Sequence, residues 1–247
     1  MPTPKSSNGN MMFLSQTKAG FVQRVNEDTP NAKPRVITTG PNTGKTIYEL
    51  EFSSIIGYLS DVKYHKNEDK EYGPSWAFLI QEQTGPVNLQ YSADSFTVQS
   101  LLEVLPRIDL SKEVQLIAWS KNDHMRLSVK QQNAAGEWEW VENIYKEWID
   151  QKIKYKNGYP AAPKNADKED LEIHFKMVQK FLRNNTMMWI ENVLTPYKLK
   201  AEQQEIDMSM SQPAKHAEPI VDPNYGGGYK REANFTSPNP DMDDLPF

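Results

Sequence analysis

The chain has 247 residues, 38% hydrophobic, with 9 Phe, 11 Tyr and 6 Trp, which is enough to bury a core of one large domain or one domain with additions. It has no cysteine, which excludes disulfides, thiolate zinc sites and cysteine nucleophiles, and its four histidines (His65, His124, His174, His216) are too scattered to ligate a metal. The formal net charge of −5 counts against a generic polyanion binder, but Asp241, Asp243 and Asp244 lie in the final segment, so the body is closer to neutral and any basic surface must be local.

No apolar run approaches about 18 residues, and MPTPKSSNGN lacks the charged and apolar regions of a signal peptide, so a cytoplasmic protein with no membrane partner is expected. Residues 1–34 are expected as a flexible N-terminal arm and lead-in. From 35 to 145 the pattern is mostly period two, the signature of strands. TIYELEF (46–52) sets Tyr48, Leu50 and Phe52 on one face and Glu49 and Glu51 on the other. The run continues through Ile55, Ile56, Tyr58 and Val62 with Gly57 inside it, either as a sharp bend in one long strand or as a loop glycine between two.

A charged loop, HKNEDKEYGP (65–74), leads to SWAFLIQEQ (75–83) and PVNLQYS (86–92). With Thr84–Gly85 as the turn, Ile80 faces Leu89 and Phe78 faces Tyr91. Asp94 is placed to cap a helix carrying Val98, Leu101, Leu102 and Leu105, which Pro106 stops. Two more strands follow, 113–120 and 123–131. A turn at Lys121–Asn122 sets Ala118 against Met125 and Leu116 against Leu127, and Trp119 beside His124 on the other face. A last strand, 137–145, returns through NAAG, which would put Trp140 beside Val129 and Glu139 beside Lys130.

Three strands, a helix and two strands is the order of an OB-fold. The expected class is mainly β, an OB-fold-like Greek-key barrel with appended C-terminal helices and a disordered acidic tail. The barrel spans 35–145 and a basic linker and helical extension spans 146–207. Two helices are expected there, one with Leu171, Phe175, Val178 and Leu182 on a stripe, the other with Trp189, Val193 and Tyr197 and ending near Pro196. They suit packing on the barrel, or alternatively a homo-oligomer contact. Residues 208–247 lack hydrophobic periodicity and read as a disordered tether, with a reach of about 35 Å for about 40 residues.

Chemical motifs are sparse. GPNTGKT (40–46) has one residue too few for a phosphate-binding loop and precedes a strand, so a glycine-rich turn is the plain reading. Acidic residues alternate on strands or sit in loops, where solvation accounts for them, and no nucleophile–base set stands out. Neither catalysis nor a cofactor is expected. Binding remains: aromatic side chains stack on bases while Lys and Arg follow phosphates. The candidates are Trp119, Arg126 and Lys130 on the outward face of one hairpin, and Lys63, Tyr64, Lys66, Lys70, Tyr72 and Trp76 in and beside the first loop. Trp76 shares the apolar face of Phe78 and Tyr91, so a core role competes with a stacking role.

The final residues read Asp241, Asp243, Asp244, Leu245, Pro246 and Phe247. With the barrel pattern and the tether, this resembles the single-stranded DNA-binding proteins of bacteria and their phages, whose tips carry aspartates, an apolar residue, Pro and Phe. The late start of the strand region and the helical extension are more similar to a phage-encoded member, which would act in the bacterial host cytoplasm. The resemblance implies coating of single-stranded DNA, and tip contacts with replication, recombination and repair proteins. Phe247 would enter an apolar pocket while the aspartates meet Lys or Arg. Rival expectations are a strand-annealing or recombination-mediator protein, a metal-dependent nuclease, or a protein adaptor that binds no DNA.

Overall fold

A computed structural model describes residues 11–18, 20–66, 73–149 and 152–211. The chain divides into two units, Met1–Ser209 and Met210–Phe247, and the architecture below is that of the first. Lys70 and Tyr72 of the first loop lie outside the described residues, as do Asp241, Asp243, Asp244, Leu245, Pro246 and Phe247.

Period-two stretches dominate the sequence, and the fold is accordingly mainly β, with a large mixed sheet and C-terminal helices. Its strands are β1 (Met12–Gln16), β2 (Phe21–Val25), β3 (Lys33–Val36), β4 (Thr46–Phe52), β5 (Ser54–His65), β6 (Ser75–Glu82), β7 (Gly85–Ser92), β8 (Val114–Lys121), β9 (His124–Gln132) and β10 (Trp138–Trp140). They neighbour one another in the order β10-β9-β8-β5-β6-β7-β1-β2-β4-β3. Only β1 with β7 is parallel among the pairs. Met12–Gln16 and Phe21–Val25 thus form strands where a flexible lead-in is expected. The reason is apolar alternation too short to stand out: Leu14 and Phe21 are buried in the core.

Gly57 is a bend inside one strand, not a loop residue. Ser54–Gly57 of β5 pairs with β8, and Tyr58–His65 pairs with β6. At the switch a Cβ on Gly57 would lie 2.5 Å from the Gln81 carbonyl oxygen. Ser60 adds a bulge to the β6 pairing, which sharpens the twist. The Gly40–Lys45 segment is the turn joining β3 to β4, with Gly40 and Gly44 at φ +85° and +86°.

Two hairpins are offset by two residues from their expected registers. The β6–β7 turn is Gln83–Thr84, so Ile80 faces Val87 and Phe78 faces Leu89. The β8–β9 turn is Asn122–Asp123, with φ of 51° and 60°, so Ala118 faces Leu127 and Trp119 faces Arg126. The latter is a type I′ turn, which needs positive φ at both positions, and Asn and Asp tolerate that better than lysine does. The β9–β10 register differs by one residue. Asn133 N–H donates to the Glu137 carbonyl and Gly136 takes φ +82°, leaving a three-residue loop that places Trp140 opposite Lys130 and Glu139 opposite Gln131.

Helix α1 (Phe96–Leu102) follows β7, and its N-cap is Ser95, one residue after the expected Asp94; the Ser95 hydroxyl accepts from Val98 N–H. A 3-10 turn, Leu105–Arg107, contains Pro106. After β10 comes a separate hairpin, β11 (Lys146–Ile149) with β12 (Lys152–Tyr155), within the segment expected as linker. Helix α2 (Lys168–Trp189) opens with a reciprocal capping box between Asp167 and Asp170. Its buried stripe is Val178, Leu182, Thr186 and Trp189, while Leu171 is exposed and Phe175 packs 5.1 Å from Phe96.

The second helix does not stop at Pro196. A π turn, Ile190–Leu194, leads directly into α3 (Thr195–Ser211). Proline has no N–H for the carbonyl four residues back and its ring crowds it; the wider turn relieves both problems. The inserted residue also rotates the stripe, burying Leu194 and leaving Val193 44% exposed.

Two carboxylates expected in solvent are buried. Glu49 accepts two hydrogen bonds of 2.8 Å from Arg35, which hold its pKa below the usual carboxylate range despite burial. Glu103 accepts from Tyr159 (2.6 Å), Asn143 (2.6 Å), Gln99 (2.9 Å) and Lys146. Burial and this carboxylate push the Tyr159 hydroxyl far above its ordinary value. Glu103 thereby ties α1 to the foot of the β11–β12 hairpin.

A single core joins the sheet to α1 and α2, including Trp76, Phe78, Leu89, Leu102, Leu182 and Trp189. Between Leu59, Phe78, Leu105 and Leu116 it leaves an apolar void of about 10 Å³, too small for a ligand. Gly57→Ala should cost about 2–3 kcal/mol or more, because the β5–β6 crossing must open. Gly44→Ala, where nothing lies within 4 Å, should cost only its backbone strain, about 1–2 kcal/mol. Equal urea midpoints for the two variants would contradict the crossing as the limiting contact.

Candidate nucleic-acid interface

Alternation along β8 and β9 sends Val114, Leu116, Ala118, Leu127 and Val129 inward. The intervening residues therefore share the outer face. Pairing lays them in rows: Ile56, Gln115, Lys130 and Trp140 across four strands; Ser54, Ile117 and Ser128 across three; then Trp119 beside Arg126. Trp119 is 37% exposed and Trp140 57% exposed.

The Trp119 indole N–H donates to Ser128 Oγ at 2.8 Å, which fixes the ring's orientation on the face. Lys130 Nζ lies 4.4 Å from the Trp140 ring centroid, and the Arg126 guanidinium lies 5.1 Å from that of Phe96. Cations held by ring faces keep their charge while giving up little mobility on meeting a phosphate. The face therefore offers two exposed indoles and two cations, with serine and glutamine amide or hydroxyl groups between them. Glu139 does not neutralise Lys130; it accepts from Asn133 Nδ2 at 2.7 Å.

The edge of β9 near this face is closed by side chains. Gln16 of β1 donates to the Arg126 carbonyl at 2.8 Å, Thr97 donates to the Met125 carbonyl at 3.1 Å, and Leu127 N–H donates to Ser100 Oγ at 3.0 Å. Those bonds stiffen the hairpin that carries Trp119 and Arg126.

The expected residues divide into two groups. Trp119, Arg126 and Lys130 come together. Lys63, Tyr64, Lys66 and Trp76 do not join them: seven strand residues, about 23 Å, separate Lys63 from Ile56. Trp76 is 1% exposed and offers no stacking surface; it belongs to the core, as the apolar pairing with Tyr91 requires. Tyr64 packs against Trp76 with ring centroids 5.0 Å apart, and Arg183 of α2 approaches its ring at 5.7 Å, so its role is to join strand to helix. Lys66 is exposed at the start of the loop. Lys63 is exposed but ion-paired with Asp61 at 2.9 Å.

Trp140 is the residue missed in the sequence. The four-residue loop reading turns it toward Val129; the glycine at position 136, able to close a three-residue loop, is the signal for the opposite face.

Asp61 links this region to α3, since Lys198 Nζ also reaches it at 3.2 Å. Burial pushes its pKa up, but hydrogen bonding from Lys63 and the charge of Lys198 outweigh that and leave it lowered. Among the described residues, no group of three or more His, Asp or Glu could hold a metal ion. No described helix is long and apolar enough to cross a membrane.

Comparisons with protein-family models, curated proteins and solved structures found no match to this chain.

A folded-state Asp61 more acidic than its unfolded counterpart stabilises the fold above the ordinary aspartate value of about 3.9, and that contribution vanishes as pH falls through the lowered pKa. Lys198→Ala should therefore be less stable than the parent at neutral pH, with the gap closing in acid. Urea midpoints across the acid range test this; a gap that widens in acid would contradict it.

Proposed function

We propose that the chain binds single-stranded DNA across the outer face of β8, β9 and β10 without strong sequence preference. The observation that carries this reading is the conjunction of Trp119 and Trp140, both exposed, with Arg126 and Lys130 on one contiguous sheet face. Indole faces accept any base, at about 1–3 kcal/mol per stacked base, while each phosphate contact adds a salt-dependent increment. The face presents few groups able to read base edges, which fits coating better than sequence recognition.

The strand order supports an OB-type barrel for β5–β9 with α1. One long strand, β5, bends at Gly57 and pairs first with β8 and then with β6, while α1 lies between β7 and β8 in sequence. In this reading β1 is an addition that fills the space between β7 and the edge of β9. OB-type barrels bind nucleic acid on an outer strand face and its bordering loops, and the near-complete filling of the interior is compatible with that.

Residues 241–247 are the proposed partner-binding element, on the residue-by-residue resemblance of Asp243, Asp244, Leu245, Pro246 and Phe247 to the tips of single-stranded DNA-binding proteins. Partners would be replication, recombination and repair proteins with a basic rim around an apolar pocket. The same acidic segment competes with DNA for basic residues of its own chain.

Binding to a labelled dT oligomer at low salt tests the main reading. Trp119→Ala should weaken it by about 1–3 kcal/mol while the protein remains folded; a folded variant with unchanged affinity would return Trp119 to a structural role. Removal of residues 241–247 should tighten binding at low salt and have less effect at high salt. Equal affinity of the truncated and full chains throughout a salt titration would end the competition proposal.

A further inference from the structure

We infer that the β11–β12 hairpin is a second grip on the same single strand, holding phosphates that have passed beyond the sheet face; this rests on the DNA-binding reading above. The hairpin's register fixes which side chains share a face. Lys146 stands opposite Tyr155, while Ile149 stands opposite Lys152 and Glu147 opposite Lys154. Alternation then puts Glu147, Ile149, Lys152 and Lys154 on one face and Lys146, Ile153 and Tyr155 on the other.

The four lysines of the hairpin region have different roles. Lys146 is committed to the buried Glu103, and its ammonium also lies 4.6 Å from the Tyr159 ring. Lys156 is paired with Glu147. Among the described residues, Lys152 and Lys154 form no ion pair, and both are exposed. Ion pairs therefore account for the two lysines at the foot; on β12, Lys154 acts on Glu147 opposite only through its charge, and Lys152 stands opposite the apolar Ile149.

The construction suits an arm that bears load. A two-stranded hairpin alone is marginal in water. This one is braced at its foot: Tyr155 stacks on Tyr159 with ring centroids 5.8 Å apart and planes 3° apart, Lys156 N–H donates to the Tyr145 carbonyl at 2.8 Å, and Asn157 donates to the Ile144 carbonyl at 2.8 Å. Tyr145 and Tyr159 both pack edge-on against Phe181 of α2. Farther out, Ile149 and Ile153 stay 42% and 39% exposed. Bracing at the foot holds the strand that carries Lys152 and Lys154 in place.

A short connection joins the foot of the hairpin to the sheet face. Trp140 and Lys146 are separated by Val141–Tyr145, so their Cα atoms lie no more than about 22 Å apart. Val141 N–H donates to the Val129 carbonyl and Ile144 N–H to the Glu103 carbonyl, so this connection is itself held down. A strand of the length one OB-type site covers, about 4–16 nucleotides, can reach both. The ligand is the sugar–phosphate backbone, met by the two ammonium groups beside the apolar Ile149, which adds contact with sugars or bases.

The test uses the full chain with Lys152 and Lys154 both changed to Gln. Lysine-to-phosphate contacts on single strands each contribute about 0.7 to the slope of log affinity against log salt, so the double variant should lower that slope by about 1.4. The loss should appear on a dT oligomer of about 16 nucleotides, the upper end of one site, and be small on one of about 4, its lower end. Trp119→Ala serves as the comparison, since it should weaken both lengths. If wild type binds and Trp119→Ala weakens both lengths while Lys152→Gln/Lys154→Gln leaves slope and affinity unchanged on the longer oligomer, the second grip is refuted and the sheet-face reading stands. If wild type does not bind either oligomer at low salt, both fall.

Discussion

The close crossing of β5 over the Gln81 carbonyl is the constraint on which the rest is built. It lets one strand belong to two pairings, with β8 before Gly57 and with β6 after it. Without the bend, β8 would have no neighbour on that side, and the face carrying Ile56, Trp119, Lys130 and Trp140 would lose its first strand. The position demands the one residue with no Cβ, and a bulge at Ser60 completes the turn. A local steric fact thus fixes where the candidate interface lies.

Glu103 plays the corresponding part on the helical side. A carboxylate buried among Gln99, Asn143, Lys146 and Tyr159 is costly to desolvate, and full hydrogen bonding is what makes it tolerable. Its partners come from α1, from the segment after β10 and from either side of the β11–β12 hairpin. A network of that kind favours one arrangement of those pieces, since each partner left unpaired would carry its own desolvation penalty. Two basic elements, the sheet face and the hairpin, are thereby held at a fixed separation along the chain.

The sequence made some of this readable and concealed the rest for physical reasons. Period-two alternation located β4 through β9, while Gly57 left a bend or a loop open until the β5 pairings decided for the bend. Turn choice was harder, because Gly85 takes its positive φ of 138° just after the Gln83–Thr84 turn rather than within it. A two-residue slip keeps every side chain on its own face, so the core and the outward placement of Trp119, Arg126 and Lys130 were legible despite it. A one-residue slip does not, and it concealed Trp140. Trp76 carried both readings, core and platform, and only the tertiary packing of Tyr64 and Phe78 around it decides between them. Glu49 and Glu103 look like solvated acids because their partners Arg35 and Tyr159 are distant in sequence. The π turn at Pro196 is concealed in the same way: proline marks a break, and the continuation of the helix depends on Leu194 finding the core.

The alternation of β8 and β9 makes neighbouring residues answer to different selective pressures. Leu116 and Ala118 are held by the interior, whereas Gln115, Ile117 and Trp119, one position away, face outward. On the proposed function, packing and recognition would be interleaved along those strands rather than segregated into separate loops. Variation confined to alternate positions could re-tune affinity or ligand preference while the hydrophobic layer beneath stays the same. The outer sheet face is in that sense a replaceable veneer on a fixed backing, joined at every second residue.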